Sequence, residues 1–218
     1  MPDDAVIIDS IIKSNNESIS IKGNYESCEV SAKSTEFDSV NMYECIISNT
    51  SGNIKGLNTF NKCKFNKVYL NTTNNIEEIS IDESELKDFS LAISTWGDRV
   101  KVNMTNNEIE ISEKSLIAIS AGKLELLQFK DNSVSNFSTE SIFNLYDTGY
   151  TNPNGNAVII NNSFTQEEGY IFDGVKIASG EFSLKYKKNK CGDIEFINPQ
   201  YEDNEYFKMT NCQAKCNT

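Results

Sequence analysis

Apolar and polar residues alternate along this chain in short runs that keep returning to the same phase. Ten times an apolar residue is followed three positions later by a small polar or thiol residue, and two positions after that by another apolar one. The central residues are Ser10, Cys28, Cys45, Cys63, Ser84, Asn107, Asn132, Asn162, Asn189 and Cys212. In eight of the ten a further apolar or Ala residue lies two positions upstream, as in Val40-Asn41-Met42, Ile79-Ser80-Ile81, Val102-Asn103-Met104 and Leu127-Gln128-Phe129. A period of two is the mark of a strand. Successive centres are separated by as few as 17 residues (Cys28 to Cys45) and as many as 30 (Asn132 to Asn162). A unit near 20 residues that tolerates insertions predicts a solenoid.

Each unit reads as three short strands broken by polar turns. Val102–Met104, Ile109–Ile111 and Leu116–Ile119 make one such set; Leu127–Phe129, Val134 and Ile142–Leu145 make the next. Three strands per coil, with like strands stacked in parallel, predict an all-β right-handed parallel β-helix solenoid of about ten coils. It forms a single domain over residues 1–218, since no Gly/Ser/Pro-rich linker divides the chain. The motif residue falls at the bend between first and second strands, where Asn is expected because it tolerates left-handed backbone angles. Stacked Asn side chains have both donor and acceptor to bond along the column. Pentapeptide-repeat coils would need a near-constant coil length, and leucine-rich repeats a helical stretch in each unit. Neither pattern is present.

The run Leu127-Gln-Phe129-Lys-Asp-Asn132-Ser-Val134 resembles the FxxN repeat of polymorphic outer-membrane protein passenger domains. It is also similar to the Asn-rich repeats of pectate-lyase-like β-helix surface proteins. Val158–Phe164 and Val102–Ile109 are looser versions. The resemblance implies a β-helix carried on a surface or secreted protein.

Charge and composition narrow the functional classes. With 20 basic against 32 acidic residues the net charge is -12. This argues against nucleic-acid binding, which needs clustered Lys and Arg to neutralise phosphates, and against an anionic membrane surface. No stretch is apolar for long enough to span a bilayer, and Met1-Pro2-Asp3-Asp4 does not open like a signal peptide. Asn16, Asn49, Asn71, Asn103, Asn136 and Asn161 head glycosylation sequons, but a chain with this much Asn forms several by accident. The expected location is the cell surface or extracellular space, with the cytoplasm as the alternative.

The chain has no His. That removes Ser-His-Asp and Cys-His catalysis and His-ligated metals, and no cofactor motif is found. Its six cysteines follow no metal-binding spacing. Cys28, Cys45 and Cys63 occupy one motif position in consecutive units, so they are expected to stack inward as buried, reduced thiols, poorly aimed for disulfides. Cys191, Cys212 and Cys216 gather near the C-terminus, where one bridge would pin the last coil.

No catalytic or metal-ligating set is assigned. Candidate binding residues lie in the segments that join one coil to the next, which in a solenoid share an edge. They are Trp96 and Arg99 in the first; Tyr146, Asp147, Tyr150 and Asn154 in the second; and Tyr201 in the third. Aromatics beside Asn and Asp suit sugar rings or protein hot spots. The expected function is therefore a non-enzymatic recognition or stalk domain with a glycan or protein partner. The alternative is a carbohydrate-active enzyme working through carboxylates, with Asp147, Glu167, Glu168 and Asp173 as its candidate cluster. The sequence sets no oligomeric state.

Overall fold

The computed structural model describes residues 5–94, 99–119, 123–138, 142–146, 155–166, 172–176, 182–187, 193–197 and 213–217, with side chains described mainly up to residue 165. The described residues are all strand, turn or extended chain, with no helix. In the first half the chain winds with little interruption through β1 (Val6–Ile8), β2 (Ile11–Glu26), β3 (Glu29–Tyr43), β4 (Ile46–Asn61) and β5 (Lys64–Asp82). Then the sides of each coil separate into β6 (Glu85–Ile93), β7 (Arg99–Thr105), β8 (Glu108–Ile111), β9 (Ile117–Ile119), β10 (Lys123–Lys130), β11 (Ser133–Asn136), β12 (Phe143–Tyr146) and β13 (Gly155–Ile160). They continue as β14 (Ser163–Gln166), β15 (Phe172–Lys176), β16 (Phe182–Lys187), β17 (Asp193–Ile197) and β18 (Gln213–Asn217).

The register identifies the three sides. The ends of β2 to β5 stack in parallel and continue through β7, β10, β13 and β16. The starts of β2 to β6 continue through β8, β11 and β14. The middles of β2 to β5 lead through the end of β6 to β9, β12 and β15. This is a parallel β-helix. Among the described residues it makes about six turns, where ten are expected; the last two motif centres, Asn189 and Cys212, lie outside the described residues. At the C-terminal end the parallel rule lapses, because β18 runs antiparallel to both β15 and β17.

Inward positions form one apolar column system. Phe37, Phe60, Phe65 and Phe89 meet edge to face, with ring centroids 5.8, 5.3 and 5.1 Å apart in sequence. Phe143 packs edge-on against Phe129, and Phe164 stacks on it. Such contacts add to area burial, which itself contributes about 25 cal/mol per Å² of apolar surface removed from water. Neighbouring coils lie close enough at Gly52 that an added Cβ would sit 2.0 Å from the Thr35 carbonyl oxygen.

The first corner corrects one expectation. The left-handed residue is the one before each motif residue: Asp9, Ser27, Glu44, Lys62, Glu83, Asn106, Asp131 and Asn161 all have φ between 48° and 64°. The motif side chain turns inward instead, and the bonding around it explains the choice of residue. The N–H before it bonds one coil ahead, as Lys62 N to Asp82 O at 3.0 Å, and the N–H after it bonds one coil back, as Lys64 N to Cys45 O at 2.8 Å. The motif N–H itself is left over in a dry corner and requires a partner. The next coil's motif side chain supplies one. Cys63 N donates to Ser84 Oγ, Ser84 N to Asn107 Oδ1, Asn107 N to Asn132 Oδ1 and Asn132 N to Asn162 Oδ1, all at 2.9–3.0 Å. Cys28 N reaches Cys45 Sγ at 3.4 Å.

The same side chains donate back to carbonyls of the preceding coil. Asn107, Asn132 and Asn162 Nδ2 reach Ile81, Met104 and Phe129 O at 3.0 Å, and the thiols of Cys28 and Cys63 reach Ile7 and Met42 O at 3.3 and 3.5 Å. Cys28, Cys45 and Cys63 are buried and free. The two motifs without an upstream apolar residue, at Gly23 and Asn58, are also resolved. Gly23 turns a corner at φ 103°. Asn58 is buried and accepts the Val40 N–H at 3.2 Å, repeating the same device at another corner.

Candidate functional site

Outward positions of the second side stack into two exposed columns. One motif step places Glu85, Glu108 and Ser133 in register, and two residues later Lys87, Glu110 and Ser135. Together with Leu86, Ile109 and Phe137 they line a groove of about 290 Å³ running across three coils. That volume lies at the small end for ligand pockets and admits one sugar ring or one or two side chains.

Phe137 defines the groove. Its ring is 47% exposed while both neighbours are buried, Asn136 at 0% and Ser138 at 5%. The in–out alternation runs on unbroken from β11, but the residue types invert, so that the polar Asn136 takes an inward place and the phenyl ring an outward one facing water. The mount is rigid: Phe137 N donates to Ile111 O at 2.8 Å, and Ser138 N to Asn136 Oδ1 at 2.9 Å. An exposed phenyl ring on a fixed backbone offers a flat apolar contact at low entropic cost.

The charges around it are unequally engaged. Lys64 pairs with Glu85 and Lys87 with Glu110, each at 2.9 Å. Glu108 makes no ion pair among the described residues. It stands in register between Glu85 and Ser133, where like charges directly opposite cost stability unless a partner relieves them. The groove thus offers one aromatic face, two hydroxyls and one carboxylate available for a new bond.

A second polar cluster braces the corner beyond. Tyr69 Oη donates to Glu113 Oε2 at 2.7 Å, with the Lys114 ammonium 4.2 Å from the ring centroid. Burial first, and then the bond to Glu113, push the Tyr69 hydroxyl up to about 12. Beside it the buried Asp88 accepts from both the backbone N and the hydroxyl of Ser112. These groups satisfy one another and leave nothing directed at a ligand.

None of the residues proposed from sequence is among those lining the groove. Trp96, Asp147, Tyr150, Asn154 and Tyr201 are outside the described residues, as are Glu167 and Glu168. Arg99 and Tyr146 have described backbone only, at the start of β7 and the end of β12, and Asp173 is in β15 opposite Gln213. The strands flanking the first two joining segments are in register: β9 with β6 and β12, β10 with β7 and β13. Sequence reasoning passed over Phe137; the available signal was the inverted order Ser135-Asn136-Phe137 at the end of an alternating strand.

Among the described residues no helix is long and apolar enough to cross a membrane, and no three His, Cys, Asp or Glu side chains converge as a metal site requires. Comparison with family models, curated proteins and solved structures finds no match to this chain.

Proposed function

We propose that this β-helix is a non-enzymatic recognition or stalk domain of a surface or secreted protein, and that it contacts a glycan or a protein partner through the groove beside Phe137. The observation carrying this reading is the rigidly mounted, exposed Phe137 among Glu108, Ser133 and Ser135. An aromatic face takes the apolar side of a sugar ring or a partner side chain, while hydroxyl and carboxylate fix its orientation. The solenoid provides a stiff support, since each coil is bonded to the next along all three sides. The joining segments that carry Trp96, Tyr150 and Tyr201 belong to the same proposal as a second contact region.

The carbohydrate-active alternative has one observation in its favour, the register pairing of Glu85 with Glu108 in the groove. Against it, the Glu85 carboxylate is taken up by Lys64 and is more than half exposed, whereas glycoside hydrolysis needs two carboxyl groups free to flank the scissile bond. A glycan-array screen run beside a reducing-sugar assay separates the two readings. Binding without sugar release is expected. Phe137→Ala should abolish it while leaving the melting temperature within about 2 °C, because an exposed ring contributes little to the core. Sugar release abolished by Glu108→Gln would replace this reading with the enzymatic one. Array binding unaffected by Phe137→Ala would remove the groove from it.

A further inference from the structure

The second side of the solenoid carries its charges as a ladder from coil to coil. Lys64 stands in register beneath Glu85 and bonds to it at 2.9 Å, and Lys87 stands in register beneath Glu110 and does the same. Glu29 likewise takes Lys13 from the coil below, at 2.9 Å. Glu108 breaks the rule. Its register partners are Glu85 below and Ser133 above, and it has no cation among the described residues. Glu85 and Glu108 are also the only two acids that face each other in register in the described strands. One rung of the ladder therefore lacks its positive charge.

Phe137 lies at the other end of the same groove. Its N–H bonds to Ile111 O, so the pairing of β11 with β8 carries on past Asn136. Ser133 is the register partner of Glu108, and Phe137 follows it by four positions. At 3.3 Å per residue this separates Phe137 from Glu108 by about 13 Å along the strands, and by one coil, about 4.8 Å, across them. Between the two lie the hydroxyls of Ser133 and Ser135 and the carboxylate of Glu110, which Lys87 already neutralises. The groove has a negative end, an aromatic end and a polar middle without net charge.

We propose that the groove takes an extended, basic segment of a partner protein, with a Lys or Arg at Glu108 and an apolar residue four positions away on Phe137. This rests on the reading of the groove as the contact surface and chooses between the partners left open there. The occupant follows from charge and length. A cation at Glu108 completes the ladder and relieves its repulsion with Glu85. A neutral sugar does not, and an anionic one is repelled by a chain of net charge -12. The same net charge draws a basic segment in from a distance. Residues i and i+4 of an extended chain share one face and lie about 13 Å apart, which is the span from Glu108 to Phe137; in a helix they are only about 6 Å apart. The backbone between them meets the Ser133 and Ser135 hydroxyls, which both donate and accept.

The test is a displayed library of random short peptides panned on the full chain at low salt, with the enriched peptides then measured in solution against wild type and variants. The expected peptides carry a Lys or Arg and an apolar residue four positions apart, and they bind more weakly as salt rises. Phe137→Ala should cost them at least about tenfold in affinity. Glu108→Lys supplies the cation from within the column. That variant should melt at the wild-type temperature or above, and should weaken the basic peptides by about fivefold or more, the scale of an exposed ion pair. Panned on its own, it should lose the preference for a basic residue and keep the preference for an apolar one. Enriched peptides without a basic residue, or a basic preference that survives Glu108→Lys, overturn the proposal. So does an i, i+7 spacing, which would put a helix in the groove. A library that yields nothing, beside a glycan array with Phe137-dependent binding, overturns this inference and leaves the groove as a glycan site. No Phe137-dependent binding of either kind removes both.

Discussion

The lower coils, from Cys28 to Cys63, and the upper coils, from Asn107 to Asn162, solve the same corner with different chemistry. In both, the motif side chain takes the N–H of the motif residue one coil back. The thiols do so with long, weak bonds, such as 3.4 Å from Cys28 N to Cys45 Sγ, inside coils of 17 or 18 residues. The asparagines bond at 2.9–3.0 Å and add amide-to-amide bonds of 3.0 Å between neighbours. They serve coils whose sides are interrupted, where β6 to β14 replace the long windings of β2 to β5. The comparison suggests a division of work. Short, continuous coils are held by backbone ladders and an apolar column into which a thiol fits as a small hydrophobe. Longer coils have less continuous pairing, and the polar column carries more of the load.

The largest expected effect tests that division directly. Asn132→Leu keeps the branched shape of the side chain but removes the acceptor for Asn107 N and the donor to Met104 O. Two buried groups left unpaired at about 1–3 kcal/mol each imply a loss near 3 kcal/mol. Cys45→Ser in the lower region should cost less than about 1 kcal/mol, because a serine already fills this position at Ser84, bonding at 2.8 and 3.0 Å. Chemical denaturation of the two variants gives the comparison, and equal losses would show that the polar column matters alike in both halves.

A smaller effect concerns the reactivity of the lower column. The contact between Cys63 and Cys45, and then burial, push the Cys63 thiol up, while the same contact lowers that of Cys45, so burial is what keeps a reagent from all three thiols in the native fold. In a chain with Cys191, Cys212 and Cys216 replaced by Ser, a thiol reagent should modify Cys28, Cys45 and Cys63 only as fast as the protein unfolds. Rapid labelling of one of them under native conditions would mean that the lower coils open locally.

How far the fold could be read in the sequence depends on what each residue reports. The apolar alternation around Val40–Met42 or Ile79–Ile81 reports inward positions directly, and those residues are buried. The motif positions gave the column because a side chain bonding to the next coil must repeat once per turn. The left-handed residue was misplaced by one because Lys62, Glu44 and Glu83 carry no turn signal; the bonds to neighbouring coils hold them at positive φ. The coil count was overestimated because a spacing rule has no means of detecting where parallel stacking ends. At the site the limit was different. Joining segments were selected for their length and aromatics, whereas the groove arises from residues 23 to 52 positions apart, Glu85, Glu108 and Phe137, brought together by register alone.

The smallest predicted effect probes the tie between the two regions. Tyr69, in the long winding of β5, reaches across 44 residues of sequence to Glu113 in the turn after β8. Its hydroxyl, raised to about 12 in the fold, has an ordinary value of 10.0 when the chain is unfolded. The unfolded state therefore loses its proton first as pH rises. The contribution of this group is complete below about 10 and is lost as pH climbs through about 12. Tyr69→Phe removes the titrating group together with the bond to Glu113, while the ring remains under Lys114. At neutral pH the variant should be slightly less stable than wild type, within about 1 kcal/mol for a partly exposed bond. Above pH 10 the wild type should lose stability more steeply, so the two denaturation midpoints converge. Parallel pH profiles would show that the Tyr69–Glu113 contact does not couple the lower coils to the upper.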